Sequence, residues 1–263
     1  MKIGILLKQV PDTETKIKVK GDASGIETGD IKYIINPYDE FAIEAAVKVK
    51  EANAGSEVIV FAVGPATVQI HMRTAMAMGA DRGVNVDDPA LATADSLGVA
   101  RALAAAVKAE GIDLLFGGAR AIDDDMQAVG PMTAEINGWA AVQIAGSFEL
   151  GADKTTGTVR RKVGGGAVEV VELTLPAFVG CDWKMNEPRF APLPGIMKAK
   201  TKPLAVKKLA DLGVDAGGVG GRLATSAFAP PAERGSVKWI TGATPEEQAA
   251  NLVQALRNEA KVI

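Results

Sequence analysis

The chain has 263 residues, 48% of them hydrophobic and 23% charged, with a formal net charge of −3. A chain of this length buries roughly 70–75% of the surface that it exposes when unfolded, so we expect a large core. The acidic balance argues against a nucleic-acid partner, and the single cysteine and single histidine exclude a disulfide framework and a His/Cys-rich metal centre. No apolar run approaches the ~18 residues of a membrane span, and the N-terminal one is too short for a signal peptide. These features predict a soluble protein of the cytoplasm or a matrix-type compartment.

Strand and helix signals alternate over the first half of the chain. Short apolar runs predict strands at residues 3–10, 57–63, 83–86 and 112–116. Capping residues and helical spacing predict a helix that opens at Asn36-Pro37-Tyr38-Asp39-Glu40, and others at 66–79 and 94–110. A further helix is expected to begin near Asp124, with Gln127 at the capping-box position. Strands separated by helices of this length indicate βαβ units and a parallel sheet.

The pattern changes after Trp139. Residues 158–163 and 167–174 flank three glycines, which predicts an antiparallel hairpin, and residues 177–181 predict another strand. Residues 201–240 are rich in Gly and Pro and are typical of a linker, whereas Thr244 and Pro245 predict the start of a terminal amphipathic helix. We therefore expect an α/β fold with a mostly parallel, Rossmann-like sheet and flanking helices, an antiparallel addition and an extended C-terminal arm.

The segment from Cys181 to Lys200 combines prolines, apolar side chains and lysines. Pro188, Pro192 and Pro194 lack the N–H group that a strand ladder or a helix needs, and each favours extended geometry in the preceding residue. We therefore predict a stiff, extended loop. Its apolar side chains are those of Leu193, Ile196 and Met197. Apolar groups beside lysines are typical of a surface on which a partner docks.

A loop rich in glycine and aspartate, residues 117–130, follows the predicted strand at 112–116. Ligands of parallel α/β sheets bind in the crevice beyond the carboxyl ends of strands, and N–H groups at a helix start can hold a phosphate. The carboxylates of Asp123, Asp124 and Asp125 would repel a phosphate, so they fit better as a helix cap, as acceptors for ribose hydroxyls or as solvated side chains. Since no GxGxxG or Walker lysine is present, nucleotide binding and simple helix capping both stay open.

Several sequence blocks together carry a family resemblance. They are Lys8-Gln9-Val10, Asn36-Pro37-Tyr38-Asp39-Glu40, Gly64-Pro65, Ala77-Met78-Gly79-Ala80-Asp81-Arg82, Ala121-Ile122-Asp123-Asp124-Asp125, Leu175-Pro176-Ala177, Asn186-Glu187-Pro188-Arg189 and Leu193-Pro194-Gly195-Ile196-Met197-Lys198-Ala199. The chain resembles the β-subunit family of electron transfer flavoproteins, and the match spans most of its length. The last two blocks are close to a family signature.

The resemblance implies an obligate heterodimer with an α subunit that holds the redox-active FAD. The complex would carry electrons from FAD-linked dehydrogenases of the acyl-CoA type to a quinone reductase or another acceptor, without substrate turnover by this subunit. Residues 1–200 would form an α/β domain of the adenine-nucleotide-binding type, with a structural AMP that carries no electrons. Residues 201–263 would form a C-terminal arm and a terminal helix that pack on the α subunit.

The resemblance also assigns residues to two sites. The nucleotide pocket maps onto Leu6, Asn36, Pro37, Tyr38, Asp39, Val63, Gly118, Ala119, Arg120, Ala121, Ile122, Asp123, Asp124, Asp125, Met126, Gln127, Ala128 and Val129. The partner-docking segment (residues 192–200, the docking segment below) maps onto Pro192, Leu193, Pro194, Gly195, Ile196, Met197, Lys198, Ala199 and Lys200. Leu193 resembles the family's apolar anchor, and the lysines would form its rim.

Two alternative functions remain at the level of sequence. Val129-Gly130-Pro131 resembles electron-bifurcating members of the family, which place a second FAD in this pocket and accept hydride from NADH. Asp124, where those members commonly have glycine, favours AMP instead. A free-standing ATP- or AMP-binding module is compatible with the α/β pattern of the first half, but it does not explain an apolar docking segment.

Overall fold

The computed structural model describes residues 1–222, 227–233 and 235–263. In these residues the strands are β1 (Lys2–Leu6), β2 (Gln9–Pro11), β3 (Tyr33–Ile35), β4 (Glu57–Val63), β5 (Arg82–Val86), β6 (Leu114–Gly118), β7 (Ala140–Leu150), β8 (Thr156–Lys162), β9 (Val168–Thr174), β10 (Ala177–Cys181) and β11 (Leu204–Lys207). The helices are α1 (Pro37–Ala52), α2 (Val68–Met78), α3 (Ser96–Glu110), α4 (Val129–Ile136), α5 (Leu193–Ala199) and α6 (Pro245–Ala255), the last continued by a π-helical turn, Leu256–Ala260.

One large sheet organises the chain. Within the described residues it has nine strands in the order β11-β5-β4-β1-β6-β10-β7-β8-β9. Pairing is parallel from β11 to β7 and antiparallel from β7 to β9, while β2 and β3 form a separate antiparallel ribbon. The predicted α/β class, the parallel sheet and the antiparallel hairpin are therefore confirmed.

The core lies on both faces of the sheet, which explains why the central strands are continuously apolar. In β4, Val58 and Val60 join one buried cluster with Met72 of α2, whereas the alternate residues Ile59 and Phe61 join the other. Successive side chains of a strand point to opposite faces, so a strand covered by helices on both faces has no polar side to show. No helix in the described part of the chain is long and apolar enough to cross a membrane.

The helix that follows β6 begins later than the sequence predicts. The prediction of a start near Asp124 is wrong, because α4 begins at Val129. Asp125 and Gln127 have φ values of 52° and 54°, in the left-handed region that a right-handed helix does not contain. The Asp124 carboxylate accepts the N–H of Met126 at 3.1 Å. Residues 119–128 therefore form a loop, which we call the pocket loop, and Gln127 completes no capping box.

Residues 193–199 are helical, so the prediction of an extended loop is wrong there, whereas residues 182–192 belong to no helix or strand, as predicted. Pro192 occupies the N-cap position of α5 in extended backbone, and Pro194 lies in the first turn. The N–H groups of a first turn have no acceptor within the helix, and proline therefore removes no hydrogen bond there. The prolines determine where this helix begins.

Part of the predicted linker belongs to the sheet. β11 pairs with β5 at one edge, and Leu209 and Val219 are buried, so the linker interpretation is wrong for residues 204–219. The terminal helix is confirmed: Thr244 caps α6 by accepting the N–H of Glu247 at 3.2 Å. The division of the chain at residue 200 stays a prediction.

We expect Cys181 to be inert towards thiol reagents in the native protein. The residue is fully buried in the core. Burial, and secondarily the charge of Asp39, raises the pKa of the thiol far above its usual range. Iodoacetamide should therefore leave native protein unmodified and alkylate the denatured protein completely, as read by mass spectrometry. Equal rates in the two states would contradict this burial.

Candidate functional site

A cavity of about 310 Å³ lies at the carboxyl ends of β1 and β6. After β1 the chain adds β4 and β5 on one side, and β6 then lies on the other side of β1. This reversal makes the carboxyl ends of the neighbouring strands β1 and β6 a topological switch point, where parallel α/β sheets bind ligands. The pocket loop and the N-termini of α3 and α4 close the cavity.

The cavity brings together much of the predicted nucleotide set. Its wall contains Leu6, Asn36, Asp39, Val63, Gly118, Ala119, Arg120, Ala121, Asp124, Met126, Gln127, Ala128 and Val129. The predicted residues Pro37, Tyr38, Ile122, Asp123 and Asp125 lie outside the wall. Sequence reasoning missed Leu7, Lys8, Ala94, Asp95, Ser96, Val99, Leu103, Gln143 and Phe178, whereas Gly117 and Gly130 lie in the loop of residues 117–130 that it considered for ligand binding. The start of α3 could have been inferred, because it follows the carboxyl end of β5 at the same edge; Gln143 and Phe178 required the strand order.

Asn36 and Asp39 at the start of α1 hold the pocket together. Asn36 is 1% exposed, and its Nδ2 donates to Asp39 Oδ1 and to the Arg120 carbonyl oxygen, each at 2.9 Å. Its Oδ1 accepts the N–H of Ile122 at 3.3 Å. This amide therefore ties α1 to the pocket loop through both of its polar atoms.

The Asp39 carboxylate ties two further segments to α1. It accepts the backbone N–H of Lys8 at 2.7 Å and that of Gly118 at 3.0 Å. A Cβ at position 118 would lie 2.5 Å from Asp39 Oδ1, so this approach requires glycine. The ends of β1 and β6 are thus joined at one buried acid.

Two cations pair with the three consecutive aspartates. Lys8 Nζ lies 2.8 Å from carboxylate oxygens of both Asp123 and Asp124, and Arg120 pairs with Asp125 at 3.2 Å. Burial lowers the pKa of Lys8, but hydrogen bonds to the two aspartates and their charges outweigh it, so the pKa is raised. These carboxylates are engaged with protein cations, and the repulsion that they would exert on an anionic ligand is correspondingly reduced.

The pocket also offers polar partners to a ligand. Gln143 Nε2 of β7 donates to the Gln127 carbonyl oxygen at 3.0 Å and so holds the pocket loop. Among the described residues, Arg120 Nε and Gln143 Oε1 are buried atoms beside the cavity without a hydrogen-bond partner. A donor and an acceptor of this kind are unfavourable when left unpaired, so they favour a polar ligand.

The rest of the wall consists of an apolar region and the N-termini of two helices. Leu6, Val63, Val99, Leu103 and Phe178 provide the apolar surface. Val129 at the start of α4 brings the positive end of a helix dipole to the cavity without a side-chain cap, whereas the Asp95 carboxylate already caps the start of α3. This arrangement suits a molecule with a flat apolar part and an anionic group. The described residues contain no cluster of His, Cys, Asp and Glu that could hold a metal ion.

We expect the stability of the protein to depend on pH through Asp39. Burial raises the pKa of its carboxyl to about 7, against the opposing effect of its hydrogen bonds. The folded state therefore binds a proton that the unfolded state releases near pH 4, and this stabilisation is lost as the pH rises from about 4 to 7, by on the order of 4 kcal/mol. Chemical denaturation should show the wild type losing stability relative to Asp39→Asn over this interval. Parallel pH profiles would contradict the assignment.

The docking segment packs against α2 and turns apolar side chains towards solvent. Leu193 is 73% exposed, and Ile196 and Met197 are also exposed, whereas Ala199 is buried in the core. Phe190, which the sequence analysis did not select, is 96% exposed just before the segment. Its neighbour Arg189 anchors this stretch on α1. The Arg189 guanidinium pairs with Glu44 at 2.7 Å and with Glu51 at 2.5 Å.

The fold and these two sites define an α/β protein with a ligand pocket at the switch point of a parallel sheet and a separate apolar segment on its surface. Residues 25–212 match the family model described as electron transfer flavoprotein domain. The chain is 41% identical over its whole length to the whole electron transfer flavoprotein subunit beta of Bradyrhizobium diazoefficiens. It is 46% identical to that of Mus musculus, over 80% of this chain and 82% of the relative. It is 41% identical to the mitochondrial one of Arabidopsis thaliana, over 82% and 84%.

The chain belongs to the electron transfer flavoprotein β-subunit family. The resemblance seen in the sequence is therefore confirmed.

Proposed function

We propose that this chain is the β subunit of a heterodimeric electron transfer flavoprotein in a bacterial or archaeal cytoplasm or an equivalent matrix. It relays electrons from FAD-linked dehydrogenases of the acyl-CoA type, through an FAD held mainly by the α subunit, to a quinone reductase or another acceptor. The observation that carries the proposal is the exposed apolar docking segment, held on a folded domain of this family. The subunit turns over no substrate itself.

The C-terminal arm supports assembly with a second chain. None of residues 235–263 is buried, and several of them are apolar. Trp239 is 84% exposed, and Val237 and Ile263 are also exposed. Leu252 and Val253 of α6 face no core. Apolar surface of this extent marks a protein interface, and we assign it to the α subunit.

The pocket fits a structural AMP. Its volume of about 310 Å³ lies at the lower end of the range of ligand cavities, roughly 300–1,000 Å³, which favours a mononucleotide over a second FAD. Leu6 and Val63 would contact the base, and the N-terminus of α4, which no side chain caps, would hold the phosphate. Gln143 Oε1 and Arg120 Nε are available to its polar groups. Bound AMP adds contacts between the strand ends and transfers no electrons.

Release of nucleotide from the copurified complex by acid tests this assignment. Chromatography should find FAD and AMP in equal molar amounts, each equal to the molar amount of heterodimer. FAD at twice that level without AMP would contradict it and assign the pocket to a bifurcating complex that oxidises NADH. A monomeric chain that hydrolyses ATP and copurifies with no α subunit would replace the whole proposal by a free-standing nucleotide-binding module.

A further inference from the structure

The docking segment packs closely against α2. A Cβ at Gly195 would lie 2.4 Å from the carbonyl oxygen of Ala77, so α5 approaches the end of α2 more closely than a larger residue allows in this geometry. The apolar side chains of Leu193 and Met197 stay exposed on this packed helix. The segment is therefore held by contacts on one side while its other side faces solvent.

Arg73 of α2 caps the end of α5. Its Nη1 donates to the carbonyl oxygen of Ala199 at 2.7 Å and to that of Lys202 at 2.5 Å. The last carbonyls of a helix have no intrahelical donor, and a cation at this end interacts favourably with the helix dipole. A seven-residue helix is too short to be stable alone, so this cap contributes directly to its formation.

Lys202, just beyond α5, caps α2 in return. Its Nζ donates to the carbonyl oxygens of Met76 at 2.8 Å and Ala80 at 2.6 Å, at the C-terminal end of α2. Burial lowers the pKa of this ammonium group, as expected for a cation turned inward. The helix α2 therefore supplies the cation that caps α5, and the turn after α5 supplies a cation that caps α2.

We propose that Arg73 and Lys202 are positioning residues for partner docking, because their reciprocal caps lock α5 onto α2 before a partner arrives. The inference rests on the proposed function, since it concerns the segment assigned to dehydrogenase docking. A flexible loop loses conformational entropy when it becomes ordered on binding, and this loss weakens affinity. A preformed helix avoids the loss, so the contact of Leu193 with a partner pocket contributes fully to binding. Neither Arg73 nor Lys202 needs to contact the partner.

Arg73→Met in the complete heterodimer tests the inference, with Arg73→Lys as the conservative variant. Arg161→Met is the matched control, since it removes an exposed ion pair with Glu169 in the hairpin. We expect Arg73→Met to speed amide exchange at residues 193–202 by about tenfold or more and to raise KM for an acyl-CoA dehydrogenase as electron donor by a similar factor. The kcat and FAD content should stay unchanged, Arg73→Lys should be intermediate, and the control should equal wild type.

Faster exchange with unchanged KM would overturn the inference, and so would a raised KM with unchanged exchange. If Arg73→Met does not assemble, Lys202→Met removes the opposite cap and must give the same paired change. A wild-type complex that accepts electrons from no FAD-linked dehydrogenase would refute the proposed function and with it the docking role. The exchange data would then still report separately whether the two caps order α5.

Discussion

Asn36→Leu is expected to lower the free energy of unfolding of the complex by about 3 kcal/mol and to release the pocket nucleotide. Leucine has a similar size but makes none of the three hydrogen bonds that Asn36 makes to Asp39, Arg120 and Ile122. The variant leaves Asp39 Oδ1, which is buried, without this donor, and it leaves the part-buried Arg120 carbonyl and Ile122 N–H without Asn36. A buried group without a partner costs about 1–3 kcal/mol, and a part-buried one costs less. Chemical denaturation and nucleotide content of the purified complex measure the two effects.

Asn53→Leu is the matched control at the other end of α1. Asn53 Nδ2 donates to the Val49 carbonyl oxygen at 2.8 Å, on the same helix and far from the pocket loop. This variant should lose a small amount of stability and keep its nucleotide. Equal nucleotide loss in both variants would show that the pocket responds to the stability of α1 in general and not to the Asn36 contacts.

Leu193→Ala is expected to raise KM for the dehydrogenase tens of times, while kcat, flavin content and heterodimer assembly stay unchanged. Leu193 is 73% exposed at the start of α5, so its side chain contributes little to folding and is available to a partner. An apolar anchor that fills a partner pocket contributes about 2 kcal/mol or more to binding. Steady-state electron transfer at varied concentrations of the complex measures the change.

Ile17→Ala is the control for the loss of an exposed apolar side chain. Ile17 is also exposed, but it lies between β2 and β3, outside the docking segment. It should leave electron transfer unaltered. If Leu193→Ala released FAD or separated the subunits, Leu193 would be a structural residue and the docking assignment would fail.

Local pattern was sufficient to predict most elements of the fold. The apolar run of β4, the alanine spacing of α3 and the capping of α6 by Thr244 depend on residues close together in the sequence. Side-chain period and terminal capping are properties of each segment by itself, so the α/β class could be recognised before any packing was known. The family blocks added two sites that composition alone did not assign.

Three features were decided by tertiary contacts. The pocket loop is not helical, because Lys8 pairs with two of its aspartates and Asn36 binds its backbone. Gln143 and Phe178 reach the pocket through strands that are distant in sequence from the pocket loop. α5 is a helix because α2 and Arg73 hold a segment whose prolines alone favour extended backbone.

The sequence by itself determined most of the strands and helices and the family to which the chain belongs. The tertiary structure decided the strand order, and with it the switch point, the polar partners of the pocket and the shape of the docking segment. The physical reason is range: propensity and capping act over a few residues, whereas ion pairs and caps such as Lys8–Asp123 and Arg73–Ala199 join groups more than 100 positions apart.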